Sequence, residues 1–418
     1  MSFTSWLSER LPLSSWTSVG LRPASKRRAR PAQRSFRPGF ECLEGRRMLS
    51  TLTVLNTLDS GAGSLRAEIA AAHNNDTIVF APSLDGQTIT LTSGELLINH
   101  NVTIAGPGAG ELTVSGNHAS RVFEAAKGLK SVTLSGLTIS NGQAAVAGGI
   151  LNDGTLTLSG STLSDNTAAG SIYVAGSGVG GGIENDGTLT VSGSLLSGNF
   201  ASLGGGGIAN DGTLTVSNST LSGNSANNDG GGINNGGKAT ISGSTLSGNV
   251  TLISGGGIIN GGTLTVSNST LSGNSAGESG GGIYNIGTLT VSGSTLSGNS
   301  AVYEGGGILT ARGFGGNTAT ISNSTLSGNS AAYEGGGIYA TGGTLTVSNS
   351  TISGNSAISA GGGIYISPYG TVTVKNSSRI TGNTAPIGFG ADVDNLGVLD
   401  RDSTSTIGTL DGNPAVPI

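Results

Sequence analysis

Two columns of acidic residues recur along this chain at matching places in a repeated phrase: Asp153, Asp186 and Asp211 form one, and Asp229, Glu304 and Glu334 the other. Carboxylates stacked about 5 Å apart on neighbouring strands repel unless a cation lies between them. Ca²⁺ chelation and general acid–base work are therefore the chemistries to weigh. The Gly-Gly-x-Gly-x-Asp nonapeptide by which β-rolls hold Ca²⁺ is absent, so both columns read as solvated turn acids, with no metal and no cofactor expected. Tyr284, Tyr339 and Tyr365 each follow an Ile that opens the phrase, near Tyr303-Glu304 and Tyr333-Glu334. Outward Tyr beside carboxylates can stack on a sugar ring and accept hydrogen bonds from its hydroxyls. Tyr284, Tyr303, Glu304, Tyr333, Glu334, Tyr339 and Tyr365 are accordingly the candidate glycan or surface contacts. Material for base catalysis is sparse. From residue 131 onward the basic residues are Lys238, Arg312, Lys375, Arg379 and Arg401, and the histidines His73, His100 and His118 all come earlier. His118, with Arg121 nearby, reads as a solvated turn histidine. No catalytic residue is assigned, and a non-catalytic protein is expected.

The elements that would position these groups follow from the phrase itself. Gly-Gly-Gly-Ile-x-Asn followed by Gly-Thr-Leu-Thr-Val-Ser-x-Ser-Thr-Leu-Ser-Gly-Asn recurs with small changes. Its Ile falls at 150, 183, 208, 233, 258, 283, 308, 338 and 364, with five consecutive steps of 25 residues. A fixed period of this size means a solenoid whose units bury their apolar faces against one another. The unit is rich in Gly and β-branched residues, and Thr-Leu-Thr-Val alternates polar with apolar, so it is built of strands. In the unit opening at Gly180, Ile183 marks a first strand, Leu189 and Val191 the inward side of a second, and Leu196 a third. Three short strands per turn predict an all-β, right-handed parallel β-helix of about nine to eleven coils. Asn166, Asn199, Asn224, Asn249, Asn274, Asn299, Asn329, Asn355 and Asn383 recur after the third strand, and Asn152, Asn185, Asn210, Asn235, Asn260 and Asn285 two residues after the anchor Ile. Both series read as structural ladders that hydrogen-bond from coil to coil.

Outside the repeats the chain divides by composition. Residues 1–50 hold 10 of the 19 Lys and Arg and 3 of the 24 acids, which leaves +7 there and −12 beyond. This basic leader, with its run Lys26-Arg27-Arg28-Ala29-Arg30, is expected to be disordered or processed, and no nucleic-acid partner is assigned to it. Residues 51–130 are expected to form an N-terminal cap and the first coils, with Ser64 capping a helix over 65–72. Residues 131–390 carry the repeats, and 391–418 a C-terminal cap and tail. Cys42 is the one Cys, so no internal disulfide framework or Cys-based metal site is available. No transmembrane segment is expected.

Gly-Gly-Gly-Ile with Leu-Ser-Gly-Asn, as in Leu196-Ser197-Gly198-Asn199, resembles the repeat of the polymorphic outer membrane protein family, with Leu in place of the family's Phe. The match covers residues 141–390. The resemblance implies a β-helical surface passenger, often adhesive, although no membrane barrel is read in this chain. Ser60-Gly61-Ala62-Gly63-Ser64-Leu65-Arg66, with Asp76-Thr77-Ile78-Val79-Phe80 downstream, resembles the entry region of bacterial parallel β-helix repeat proteins. Leu43-Glu44-Gly45-Arg46-Arg47-Met48-Leu49 is similar to the Leu-Glu-Pro-Arg-x-Leu-Leu element of bacterial extracellular proteins, which implies export. Together these lead to an expected bacterial protein that is extracellular or on the cell surface, adhesive or glycan-contacting. A polysaccharide lyase or glycoside hydrolase is the first alternative. An ice-binding solenoid is the second, suggested by the Thr pairs running from Thr155 and Thr157 to Thr371 and Thr373, broken at Lys238.

Overall fold

The computed structural model describes residues 49–171, 176–311 and 317–418. The basic run Lys26–Arg30, Cys42, nearly all of the leader element and Arg312 lie outside them. The described residues build a parallel β-helix. In the coil opening at Ile183 the strands are Ile183–Asn185, Thr188–Ser192, Leu195–Ser197 and Phe200–Ala201. Each pairs in parallel with its counterpart one coil on: Ile183 with Ile208, Leu189 with Leu214, Leu196 with Leu221 and Ala201 with Ala226. The stacked strands make four sheets of 13, 15, 13 and 9 strands, named here the Ile, Thr, Leu and Ala sheets.

The Ala sheet is a fourth strand position where three were expected. Its strands are two residues long, too short for alternation to reveal them, and each turns a single small residue such as Ala201 inward. The Ile, Thr and Leu sheets also exceed nine to eleven coils, because the segments flanking the repeats keep the strand pattern after losing the phrase. Thr51–Val54 opens the Thr sheet, while Val393–Asn395 and Leu410–Gly412 extend the Ile sheet.

Ile183, Leu189, Val191 and Leu196 are fully buried, as are their equivalents in the neighbouring coils. Removing such side chains from water is the main driving force for stacking, roughly 1.5 to 3 kcal/mol each. The core also contains polar ladders. Asn224 accepts from the Asn199 N–H at 3.1 Å and from Asn199 Nδ2 at 2.9 Å, and donates through Nδ2 to Leu196 O and to Asn249 Oδ1, both at 3.0 Å. Every polar atom of the buried amide is thereby used. The ladder ends at Asp392, whose Oδ1 accepts from Asn383 Nδ2 at 2.9 Å. The second ladder runs likewise, Asn185 Nδ2 donating to Asn210 Oδ1 at 2.6 Å.

Two corners explain two glycine positions. Between the Ile and Thr sheets, a Cβ on Gly212 would lie 2.0 Å from Gly187 O, and one on Gly237 2.2 Å from Gly212 O, so adjacent coils meet here backbone to backbone. Between the Thr and Leu sheets the corner residue has φ near +50°, as at Gly193 (+53°), Asn218 (+47°), Gly243 (+54°) and Asn268 (+47°). Gly and Asn are the residues that tolerate this region best, and they alternate here.

At the N-terminal end, helix α1 (Leu65–Ala71) buries Leu65 and Ile69, and the Ser64 hydroxyl accepts the Ala67 N–H at 3.2 Å. Arg66 holds this end together. It pairs with Asp59 at 2.7 Å and donates to the backbone oxygens of Gly94 and Glu95 at 2.7 and 2.6 Å.

Candidate functional site

From Leu96–Ile98 to Val393–Asn395, each Ile-sheet strand buries its first and third residues, so its middle residue faces out. In register along that face stand Glu124, Leu151, Glu184, Ala209, Asn234, Ile259, Tyr284, Leu309, Tyr339, Tyr365 and Asp394. Carboxyl groups gather at two places beside this row.

The first place lies toward the C-terminal end. Tyr339 and Tyr365 stack with ring centroids 5.1 Å apart and planes 11° from parallel. Glu304 and Glu334 are bridge partners on adjacent coils just ahead of the row. Burial raises the Glu304 carboxyl above its ordinary range. Burial likewise raises Glu334, reinforced by Glu304 and Asp394, while the Tyr339 and Tyr365 hydroxyls offset part of the rise. Asp394 is raised by burial and by Asp411. The phenols respond to the same surroundings: burial, then Glu334, Asp394 and Glu304, push Tyr365 up to about 12, and burial with Glu304 and Glu334 raises Tyr339 as well. Protons are therefore held more firmly here than on solvated groups, and general acid chemistry is what such a group can do.

Of the expected contact residues, Glu304, Glu334, Tyr339 and Tyr365 come together. Tyr284 lies across Leu309 from Tyr339 and senses Asp229, Glu304 and Glu278. Tyr303 and Tyr333, 45% and 51% exposed, form a ring pair of their own at 5.4 Å and 34°. Asp394 was not among the expected contacts. Its only signal was its place after Val393, which pairs with the anchor Ile364 where the repeat phrase has faded.

The second place lies in the earlier coils. Glu184, flanked by Leu151 and Ala209, is only 6% exposed, and Asp186 and Asp211 stand at the adjoining corner of its own and the following coil. One ligand oxygen from each of the three lies within 4.8 Å of the others. Asp186 and Asp211 are exposed, as expected of turn acids, and Asp153 one coil earlier is half-buried. Sequence reading passed over Glu184, whose signal was an acid on the outward phase two residues before Asp186. His118 is exposed, and the Arg121 guanidinium is occupied by Glu95 and Glu124, each at 2.8 Å.

The family model described as "Right handed beta helix region" matches residues 207–384, in agreement with the expected handedness. No curated protein matches the chain. Among solved structures it resembles the A-module of a mannuronan C-5 epimerase from Azotobacter vinelandii, with TM-score 0.44 and 14% identity over 87% of this chain and 94% of that one. A mannuronic acid specific family 6 polysaccharide lyase from human gut microbiota gives 0.38 and 11% over 85% and 86%. The catalytic unit of a GH87 α-1,3-glucanase from Streptomyces thermodiastaticus gives 0.37 and 15% over 87% and 70%. A non-catalytic protein was expected, and against that expectation all three of these neighbours are, by name, enzymes acting on carbohydrate. That expectation rested on the few basic residues beyond 131 and on reading the acids and His118 as solvated, whereas a solenoid brings together side chains from coils some 25 residues apart. Among the described residues, no helix is long and apolar enough to cross a membrane.

Proposed function

We propose that the outer face of the Ile sheet between Tyr284 and Asp394 binds and cleaves an extended polysaccharide, with Glu334 as the proton donor. The observation that carries this reading is the near-parallel Tyr339–Tyr365 pair set directly against carboxyl groups whose acid form burial favours. Tyr rings give a flat apolar platform for the CH face of a sugar, and the adjoining carboxyls supply hydrogen bonds to its hydroxyls. A protonated Glu334 would donate to the glycosidic oxygen as the bond to the anomeric carbon breaks. A second carboxylate, Glu304 or Asp394, would activate the attacking water. A polymer of this kind is met outside the cell, and export with the basic leader to the surface or medium is part of the same proposal.

The test is a panel of neutral and uronic-acid polysaccharides incubated with the full chain, read as new reducing ends. Glu334→Gln should lose at least ~100-fold in turnover, the usual worth of a general acid. Equal turnover in Glu334→Gln, or products bearing unsaturated ends in place of hydrolysed ones, would overturn the assignment.

A further inference from the structure

A buried carboxylate is normally paired or hydrogen-bonded, because an isolated charge taken out of water is costly. Glu184 is neither. Its Oε2 is fully covered and has no hydrogen-bond partner, although the residue is 94% out of contact with solvent by its 6% exposure. None of the ion pairs among the described residues involves Glu184, Asp186 or Asp211. Instead, three carboxylates face one another.

We propose that Glu184, Asp186 and Asp211 bind one Ca²⁺, which clamps two successive coils at the corner between the Ile and Thr sheets. The donor set is all oxygen, the choice of a hard divalent cation. The three ligand atoms lie within 4.8 Å of one another. Oxygens that share one Ca²⁺ at about 2.3 to 2.6 Å can lie up to about 5.2 Å apart, so the three are close enough to hold a common ion. Two exposed ligands leave room for waters to complete its shell. Glu184 and Asp186 come from one coil and Asp211 from the next, so the ion would link coils side chain to side chain where the backbone already does so: the Asp211 N–H donates to Asn185 O at 3.0 Å. Burial, then Asp186, Asp211 and Asp153, push the Glu184 carboxyl up to about 8, as expected where acids crowd without a counter-charge. This site is separate from the Tyr339–Tyr365 face, and its test does not depend on what that face does.

Full-length protein stripped with chelator would be titrated with CaCl₂ and, separately, MgCl₂ by calorimetry, with thermal unfolding followed in parallel. One saturating Ca²⁺ equivalent is expected, with Mg²⁺ at least ~10-fold weaker and a rise in unfolding temperature on Ca²⁺ addition. Glu184→Gln should weaken Ca²⁺ at least ~10-fold, and Glu334→Gln should leave it unchanged. Asp211→Asn, a change at an exposed corner, gives a second reading should Glu184→Gln fail to fold. Absence of saturable Ca²⁺ binding, or affinity unaltered in Asp211→Asn, would overturn the proposal.

Discussion

At the scale of single residues, the proton on Glu334 and the amide of Asn224 lead to different measurements. Because burial raises the Glu334 pKa above its ordinary value of 4.5, the acid form persists to higher pH than a solvated glutamate would allow. Turnover should therefore be retained above the usual carboxylate range and fall as pH rises through the raised pKa. In Glu334→Gln that alkaline limb should vanish along with most of the rate. Asn224→Ala, by contrast, strands three buried partners, the Asn199 N–H, Asn199 Nδ2 and Leu196 O, while Asn249 Oδ1 keeps the Asn224 N–H. At about 1 kcal/mol or more for each buried group left unpaired, we expect a loss of about 3 kcal/mol or more, read from the urea midpoint. The ladder was legible in the sequence because nine copies recur in phase. Glu184 and Asp394 were not, since acids sit at scattered places in a column of mixed residues and what surrounds them depends on neighbours a whole coil away.

At the scale of elements, corner chemistry and the N-terminal latch can be probed separately. Gly237→Ala drives a Cβ into Gly212 O at 2.2 Å, where only backbone could yield. It should cost about 1 to 3 kcal/mol, the range for overpacking. Gly193→Asn places a residue that accepts left-handed φ at a corner with nothing within 4 Å of the new Cβ, and should be close to neutral. Comparing the two denaturation curves checks both. At the N-terminal end, burial alone would raise Asp59, but hydrogen bonds from Ser93, Arg66 and Thr92 hold it at about 2. A depressed folded-state pKa stabilises above the ordinary value of 3.8 and ceases to do so as pH falls from there toward about 2. Amide exchange in residues 51–58 and 92–95 should therefore accelerate over that acid interval, and in Asp59→Asn it should be fast already at neutral pH. The strands of the repeats were readable from alternation, and the helix from Ser64 followed by Leu65 and Ile69. The Ala sheet was not, because two residues cannot display a period.

At the scale of the whole molecule, the frame is a stack of nearly interchangeable rungs. Excision of residues 231–255, one full period, would bring Gly230 and Gly256 together and restore every sheet in register. The far-UV spectrum should keep its strand signature, whereas removal of half that length should abolish cooperative unfolding. The period made the fold class readable from the sequence, while the ends needed coordinates because they keep the strands and drop the phrase. The same equivalence bears on folding kinetics. A chain whose neighbouring units are alike can dock a coil on the wrong partner, looping out one unit while still pairing Leu with Leu and Asn with Asn. Such a slipped state would be compact and would escape only by unthreading. The irregular steps at either side of the uniform run, 33 residues from Ile150 to Ile183 and 30 from Ile308 to Ile338, act as phase marks. They give a growing helix two places where only one alignment closes.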